Sequence, residues 1–222
     1  MCKKMYKVII FVKDNIPSSE KFKDELKNIL EMQQKQNIVS SAGDISVPNN
    51  DIQDIILNMA LNNMTFENKN YFLNGIGNRI ELGTQESFSQ ENINLKDFED
   101  KILKIIKFLE NAFLDIIRVG YIYTFFEETK EPLNNRLNIP FLEDKQEIQL
   151  QFNKRIPVHG ILFNDNISIY DNWKRKKGIT IVQDFNSVPQ NNLILDSLLI
   201  EEVFEWLKTE YYEQDILKKI LK

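Results

Sequence analysis

The chain carries one cysteine, Cys2, and one histidine, His159, in 222 residues. Structural zinc and His-ligated iron need more thiols or imidazoles than that, and Cys–His or Ser–His catalysis would have to rest on the one imidazole. A lone cysteine also excludes an intrachain disulfide and fits a reducing cytoplasm. Long apolar runs are missing too. The run Val8-Ile9-Ile10-Phe11-Val12 follows Lys3, Lys4 and Lys7 as a signal sequence would, but it stops at Lys13-Asp14. That is too short for an h-region or a bilayer span, so the run predicts a buried strand. There is no basic surplus: 28 basic against 33 acidic residues leave a net charge of −5. This argues against nonspecific duplex binding and leaves room only for a local basic patch.

Phosphate-loop signatures are lacking as well. Gly75-Ile76-Gly77-Asn78 has no third glycine at dinucleotide spacing and no following Lys, and Ile80-Glu81-Leu82 comes next as strand. These glycines are expected at turns or bulges.

What is present suits a sizeable core: 42% hydrophobic residues, 11% aromatic, with 15 Phe. Met5–Val12 predicts a strand, ended by Asp14-Asn15-Ile16-Pro17. Ser18 or Ser19 then caps a helix whose Phe22, Leu26, Ile29 and Leu30 recur at helical spacing. Residues 40–50 predict a loop, and Asp51–Leu61 a short helix through Ile52, Ile55, Ile56 and Met59. Met64–Ser87 predicts strands with a hairpin tip at Asn68-Lys69-Asn70. Leu95–Leu114 is the clearest helix, with Phe98, Ile102, Ile105, Ile106, Leu109 and Phe113 on its apolar stripe. Ile116–Phe126 predicts a central strand. Glu147–Phe152 alternates, Val158–Tyr170 predicts two strands joined at Asn164-Asp165-Asn166, and Gly178–Phe185 another. Leu193–Leu221 predicts a helix capped by Asp196, with Leu199, Val203, Trp206 and Leu207 inward. Adjacent strand runs point to an α+β fold, a mostly antiparallel sheet with helices on one face and two similar strand–helix–strand halves. The expected organisation is one unit over 1–222, with sub-lobes 1–128 and 141–222 joined by the loop near 129–140.

Few side chains suggest chemistry. His159, between Pro157 and Gly160, could act as a general base, but a strand histidine is the plainer account. Trp173-Lys174-Arg175-Lys176-Lys177 is the one dense basic run; beside Tyr170 it could grip a nucleic-acid backbone and stack a base. A solvated turn is the alternative. Glu127, Glu128 and Glu131, or Glu201, Glu202 and Glu205, are the acidic candidates, and Glu201 with Glu205 could share a divalent ion. A solvated surface is the plainer account. Arg118 interrupts an apolar strand, so it either emerges on the open sheet face or pairs with a carboxylate such as Glu81. Aromatics are the stronger signal. Tyr121, Tyr123, Phe125 and Phe126 fall on both faces of one strand, and Trp206, Tyr211 and Tyr212 lie along the last helix. Such side chains dominate interfaces, so all of these but Phe126 are the expected interface set; two covered sheet faces would also explain them.

Several segments together resemble a sporadically distributed family of uncharacterised bacterial proteins. They are Asn78-Arg79-Ile80-Glu81-Leu82, the helix Phe98 to Phe113, Ile117-Arg118-Val119-Gly120-Tyr121, Gly160-Ile161-Leu162, Val182-Gln183-Asp184-Phe185, and a closing helix with Leu195-Asp196 and Val203-Phe204. The likeness covers residues 70–210. The family's Pro-rich apolar entry is absent, and Leu199 stands near the place of its usual closing-helix His. The resemblance implies an α+β shape and a setting among accessory genes and mobile elements; it transfers no catalytic residue.

The resulting expectation is a cytoplasmic, non-catalytic protein without cofactor or metal. It binds another protein or a protein–nucleic acid complex, as an accessory or inhibitory component of a bacterial phage-defence, anti-defence or mobile-element system. A homo-oligomer is compatible with this, and a membrane partner is not expected. The alternatives are a nucleic-acid-binding module using residues 174–177 and a carboxylate-based metal-dependent hydrolase.

Overall fold

The computed structural model describes residues 2–34, 64–85, 95–128, 149–171, 178–190 and 193–209. The predicted loop at 40–50 and the helix at 51–61 lie outside them. The class is α+β: nine strands and three helices among the described residues. The chain divides into two compact units, Ile9–Ile117 and Met1–Val8 with Arg118–Lys222. Strands β1 (Cys2–Val12) and β6 (Ile116–Glu128) each contribute to both.

In the Ile9–Ile117 unit, β1 is followed by α1 (Glu20–Leu30), β2 (Gln33–Gln34), β3 (Met64–Glu67), β4 (Tyr71–Ile76), β5 (Arg79–Thr84) and α2 (Leu95–Asn111). The strand order is β2-β3-β4-β5-β1, with β2 through β5 paired antiparallel. Ser19 caps α1, its hydroxyl accepting from the Phe22 N–H at 3.4 Å. The i, i+4, i+8 residues Phe22, Leu26 and Leu30 are buried, and Phe22 meets Phe108 of α2 with ring centroids 4.8 Å apart. Each such fully buried aliphatic or aromatic side chain contributes about 1.5–3 kcal/mol.

Local chemistry sets both hairpins of this unit. The Asn68 side-chain oxygen accepts from the N–H groups of Asn70 and Tyr71, each at 2.8 Å, closing the β3–β4 turn. Between β4 and β5 a two-residue turn, Gly77-Asn78, has φ +59° at Gly77 alone, which glycine adopts without strain. Gly83 faces Phe72 across the ladder, and a Cβ there would lie 2.4 Å from the Phe72 ring. The ring occupies the space a side chain would fill.

The α2 stripe is as predicted through Leu109, and its end is not. The helix stops at Asn111, and Phe113 takes φ +57° with 94% of its surface exposed. A left-handed residue closes the helix with the Leu114 N–H returning to the Leu109 carbonyl at 3.0 Å. That reversal carries Phe113 off the apolar face.

The second unit contains β6, β7 (Gln149–Val158), β8 (Ile161–Asp171), β9 (Gly178–Ser187) and α3 (Ser197–Leu207). Its strand order is β1-β6-β9-β8-β7, antiparallel from β6 outward. The predicted break at Asn164-Asp165-Asn166 is corrected: those residues are mid-strand in β8, and the turn is His159-Gly160. Both have positive φ, +47° and +80°, as the type I′ turn of a two-residue hairpin requires. Asp196 caps α3 by accepting from the Leu199 N–H at 2.8 Å, and Ile200, Val203, Phe204 and Leu207 are buried. Ile200 takes the inward place expected of Leu199.

The recurring motif is a three-stranded antiparallel meander followed by a helix: β3–β4–β5 with α2, and β7–β8–β9 with α3. No helix among the described residues is long and apolar enough to cross a membrane.

Candidate functional site

Strand register sorts the β6–β9–β8–β7 residues onto two faces. Tyr121, Phe185, Asp165 and Lys154 form one cross-strand row; Tyr123, Gln183, Ile167 and Phe152 form the next; Phe125, Ile181, Ile169 and Leu150 the third. Helix α3 covers part of this face. Phe204 meets Tyr121 edge-on at 4.6 Å, Trp206 stacks on Phe185 at 5.7 Å, and Phe185 stacks on Phe163 at 4.5 Å. Tyr121, 3% exposed, therefore belongs to the core, and Trp206 packs largely inward beside it. Tyr123 and Phe125 stay half-buried, Tyr123 against Tyr6 at 5.2 Å. Tyr211 and Tyr212 lie outside the described residues.

Next to the aromatics sits a buried charge. The Asp165 side chain is 0% exposed, accepts from Gln183 Nε2 at 2.8 Å and lies 3.4 Å from the Lys154 ammonium. A carboxylate so placed needs both partners to offset its lost hydration.

The opposite face is polar. Arg118 Nη2 donates to Asn186 Oδ1 at 2.9 Å, Asn164 Nδ2 reaches the same oxygen at 3.4 Å, and Asn186 Nδ2 donates to Asp184 Oδ1 at 3.1 Å. Arg118 thus lies on the polar face with an amide partner, while Glu81 pairs with Arg79. Gly120, opposite Asn186 in the ladder, leaves room for this hub.

The remaining candidates have surface roles where they are described. His159 holds the tight turn, 3.5 Å from Glu202 of α3, with both side chains about half exposed. Glu205 pairs with Lys208 at 2.7 Å, and Glu201 is exposed on the same helix. Glu128 is exposed at the end of β6, and the backbone of Glu127 pairs with Ile179. Glu131, Trp173, Lys174, Arg175, Lys176 and Lys177 lie outside the described residues. Among the described residues, no group of three or more His, Cys, Asp or Glu is placed to hold a metal ion. Gly75 lies within β4 and Gly77 in the β4–β5 turn, so this segment forms a hairpin.

One further cluster belongs to the Ile9–Ile117 unit. The Tyr71 phenol donates to Asp97 Oδ2 at 2.7 Å, and the Lys101 ammonium lies 3.7 Å from Asp97 Oδ1 and 5.5 Å from the centre of the Tyr71 ring. Burial first, then the hydrogen bond to Asp97 and its negative charge, hold the phenol's pKa above its ordinary value. The cluster ties the first turn of α2 to β4.

Sequence reasoning missed the sheet edge. Among the described residues β7 ends the strand order, and Gln151, Phe152, Asn153, Lys154 and Arg155 are all exposed, Phe152 by 48%. The available signal was Pro157, a residue that strands tolerate at an open edge.

No protein-family model matches the chain, and no curated protein matches it.

Proposed function

We propose that this chain is a non-catalytic protein-binding module that recognises its partner through the β7 side of the Arg118-containing unit. The supporting observation is the edge itself: a ten-residue strand at the end of the sheet order among the described residues, exposed from Gln151 to Arg155. Unpaired strand edges bind extended segments by main-chain hydrogen bonds, with side chains supplying selectivity. The described candidate acids support the same reading, since Glu205 is engaged in an exposed ion pair with Lys208 and Glu202 lies beside the His159 ring at the helix surface. The setting, an accessory or inhibitory component of a bacterial defence or mobile-element system, follows from the sequence resemblance.

Co-expression of the tagged chain with the products of its neighbouring genes tests the reading. A neighbour is expected to co-purify with the wild type and to be lost from Asn153→Pro, in which an outward N–H of the edge is removed. Retention of that neighbour by the variant, or substrate turnover by the purified chain traced to one side chain, overturns the proposal.

A further inference from the structure

The β7–β8 turn fixes which backbone groups of the edge point outward. In a two-residue hairpin the residues flanking the turn, Val158 and Ile161, form a hydrogen-bonded pair, and pairing alternates from there. Ile156, Lys154, Phe152 and Leu150 therefore bond to β8, while the N–H and C=O groups of Arg155, Asn153, Gln151 and Gln149 face away from it. Pro157, which lacks an N–H, also falls at an outward position and ends the usable edge. The Leu162 carbonyl opposite it supports this parity, since it accepts from the Val188 N–H at 2.8 Å, on the side away from β7. An occupant of this edge must alternate donors and acceptors at strand spacing. A phosphodiester chain has no N–H groups to offer the outward carbonyls, and an extended polypeptide has them.

Side chains then set what that polypeptide carries. β7 holds two cations, Lys154 and Arg155, and no acid, in a chain of net charge −5. The two cations are not equivalent. Lys154 shares its face with Asp165 and lies 3.4 Å from it, so its charge is met within the chain. Arg155 lies on the opposite face, exposed, in the row it forms with Asn164 and Asn186. On that face β7 and β8 present amides, hydroxyls and one charge, Arg155, with no carboxylate beside it. Asp184, on β9, already accepts from Asn186 at 3.1 Å. The other face is apolar near the edge, where Phe152 stands opposite Ile167 and Leu150 opposite Ile169. Resting on the protein-binding reading, we propose that β7 takes an extended acidic segment of its partner, added as a further antiparallel strand. A carboxylate of the segment sits beside Arg155 on the polar face, and apolar side chains at the intervening positions lie beside Phe152 and Leu150. Charge selects this occupant: opposite charges across a strand pair attract, and a basic segment would set like charges side by side.

The probe is a labelled synthetic peptide of alternating Glu and Val, long enough to span Gln149–Arg155, titrated with the full chain and read by fluorescence anisotropy. The same peptide with Lys in place of Glu, and a single-stranded oligothymidylate, are the comparisons. One short added strand predicts a dissociation constant on the order of 10–100 µM for the Glu–Val peptide at low salt. The Lys–Val peptide should bind at least tenfold more weakly. Arg155→Glu should reverse the preference between the two peptides. Asn153→Pro, which removes an outward N–H, should weaken the Glu–Val peptide at least tenfold, and both variants should keep the wild-type circular dichroism. No binding, equal binding of the two peptides by the wild type, indifference to either variant, or tighter binding of the oligothymidylate overturns the acidic segment. Capture of a gene neighbour separates this from the broader reading. Capture lost from Asn153→Pro but kept by Arg155→Glu rejects the acidic segment and leaves protein binding at the edge standing; capture indifferent to both variants overturns both.

Discussion

The Asp165 carboxylate, fully enclosed, lies 3.4 Å from the ammonium of Lys154, a residue with 58% of its side chain in solvent. One member of the pair is in the core and the other reaches to it from the sheet edge. Lys154→Met is therefore expected to destabilise the fold by roughly 1–3 kcal/mol, below the usual loss for a fully buried pair because Lys154 is half hydrated. Urea unfolding of the full chain measures it. Asp165→Asn in the Lys154→Met background should recover part of the loss, and a Lys154→Met midpoint equal to wild type would show that the pair contributes nothing.

Phe72 occupies the space above Gly83, with 2.4 Å between its ring and a would-be Cβ. Gly83→Ala is expected to cost about 1–3 kcal/mol through overpacking. Truncating the ring removes the clash, so Gly83→Ala should cost clearly less in a Phe72→Ala background. Additive thermal shifts in the double variant would contradict that geometry.

His159 holds φ +47° at the first position of the β7–β8 turn. Asn tolerates the left-handed region and a β-branched residue does not. His159→Asn should match or exceed wild-type stability, whereas His159→Val should lose about 1–2 kcal/mol. Equal melting temperatures for the two variants would remove the turn explanation.

Tyr71 titrates above its ordinary value because burial and Asp97 disfavour the phenolate. A raised folded-state pKa contributes stability that is complete below the unfolded value, near 10, and is lost as pH climbs beyond it. Stability should therefore fall above about pH 10, and less steeply in Tyr71→Phe. Ultraviolet titration of the tyrosines checks the assignment: one phenol titrating above its ordinary range should vanish in Tyr71→Phe.

Much of the local structure was legible in the sequence, and the exceptions have physical causes. Ser19 and Asp196 announce their helices because capping is a three-residue event. Asn68-Lys69-Asn70 announces its turn for the same kind of reason. Asn164-Asp165-Asn166 carries the same turn residues and misleads. Its neighbours in space decide: Lys154 and Gln183 satisfy Asp165 on one face, and Asn186 engages Asn164 on the other. Phe113 fits the helical spacing, yet the chain reverses at it.

The candidate surface was less legible. Register places Tyr121, Tyr123 and Phe125 on one face, but packing separates them, since Phe204 covers Tyr121 and leaves the other two half-buried. Arg118 announced itself as a charge needing a partner, and Asn186 is 68 residues away in the chain.

By itself the sequence determined the α+β class, the helix starts and most inward-facing positions. These follow from periodicity and capping, which act over a few residues. Only the tertiary structure decided that β7 stands last among the described strands of its sheet, that Asp165 is enclosed and that Arg118 meets an amide. Strand order and register join residues far apart in the chain, and their pairing energies are written in no short stretch of it.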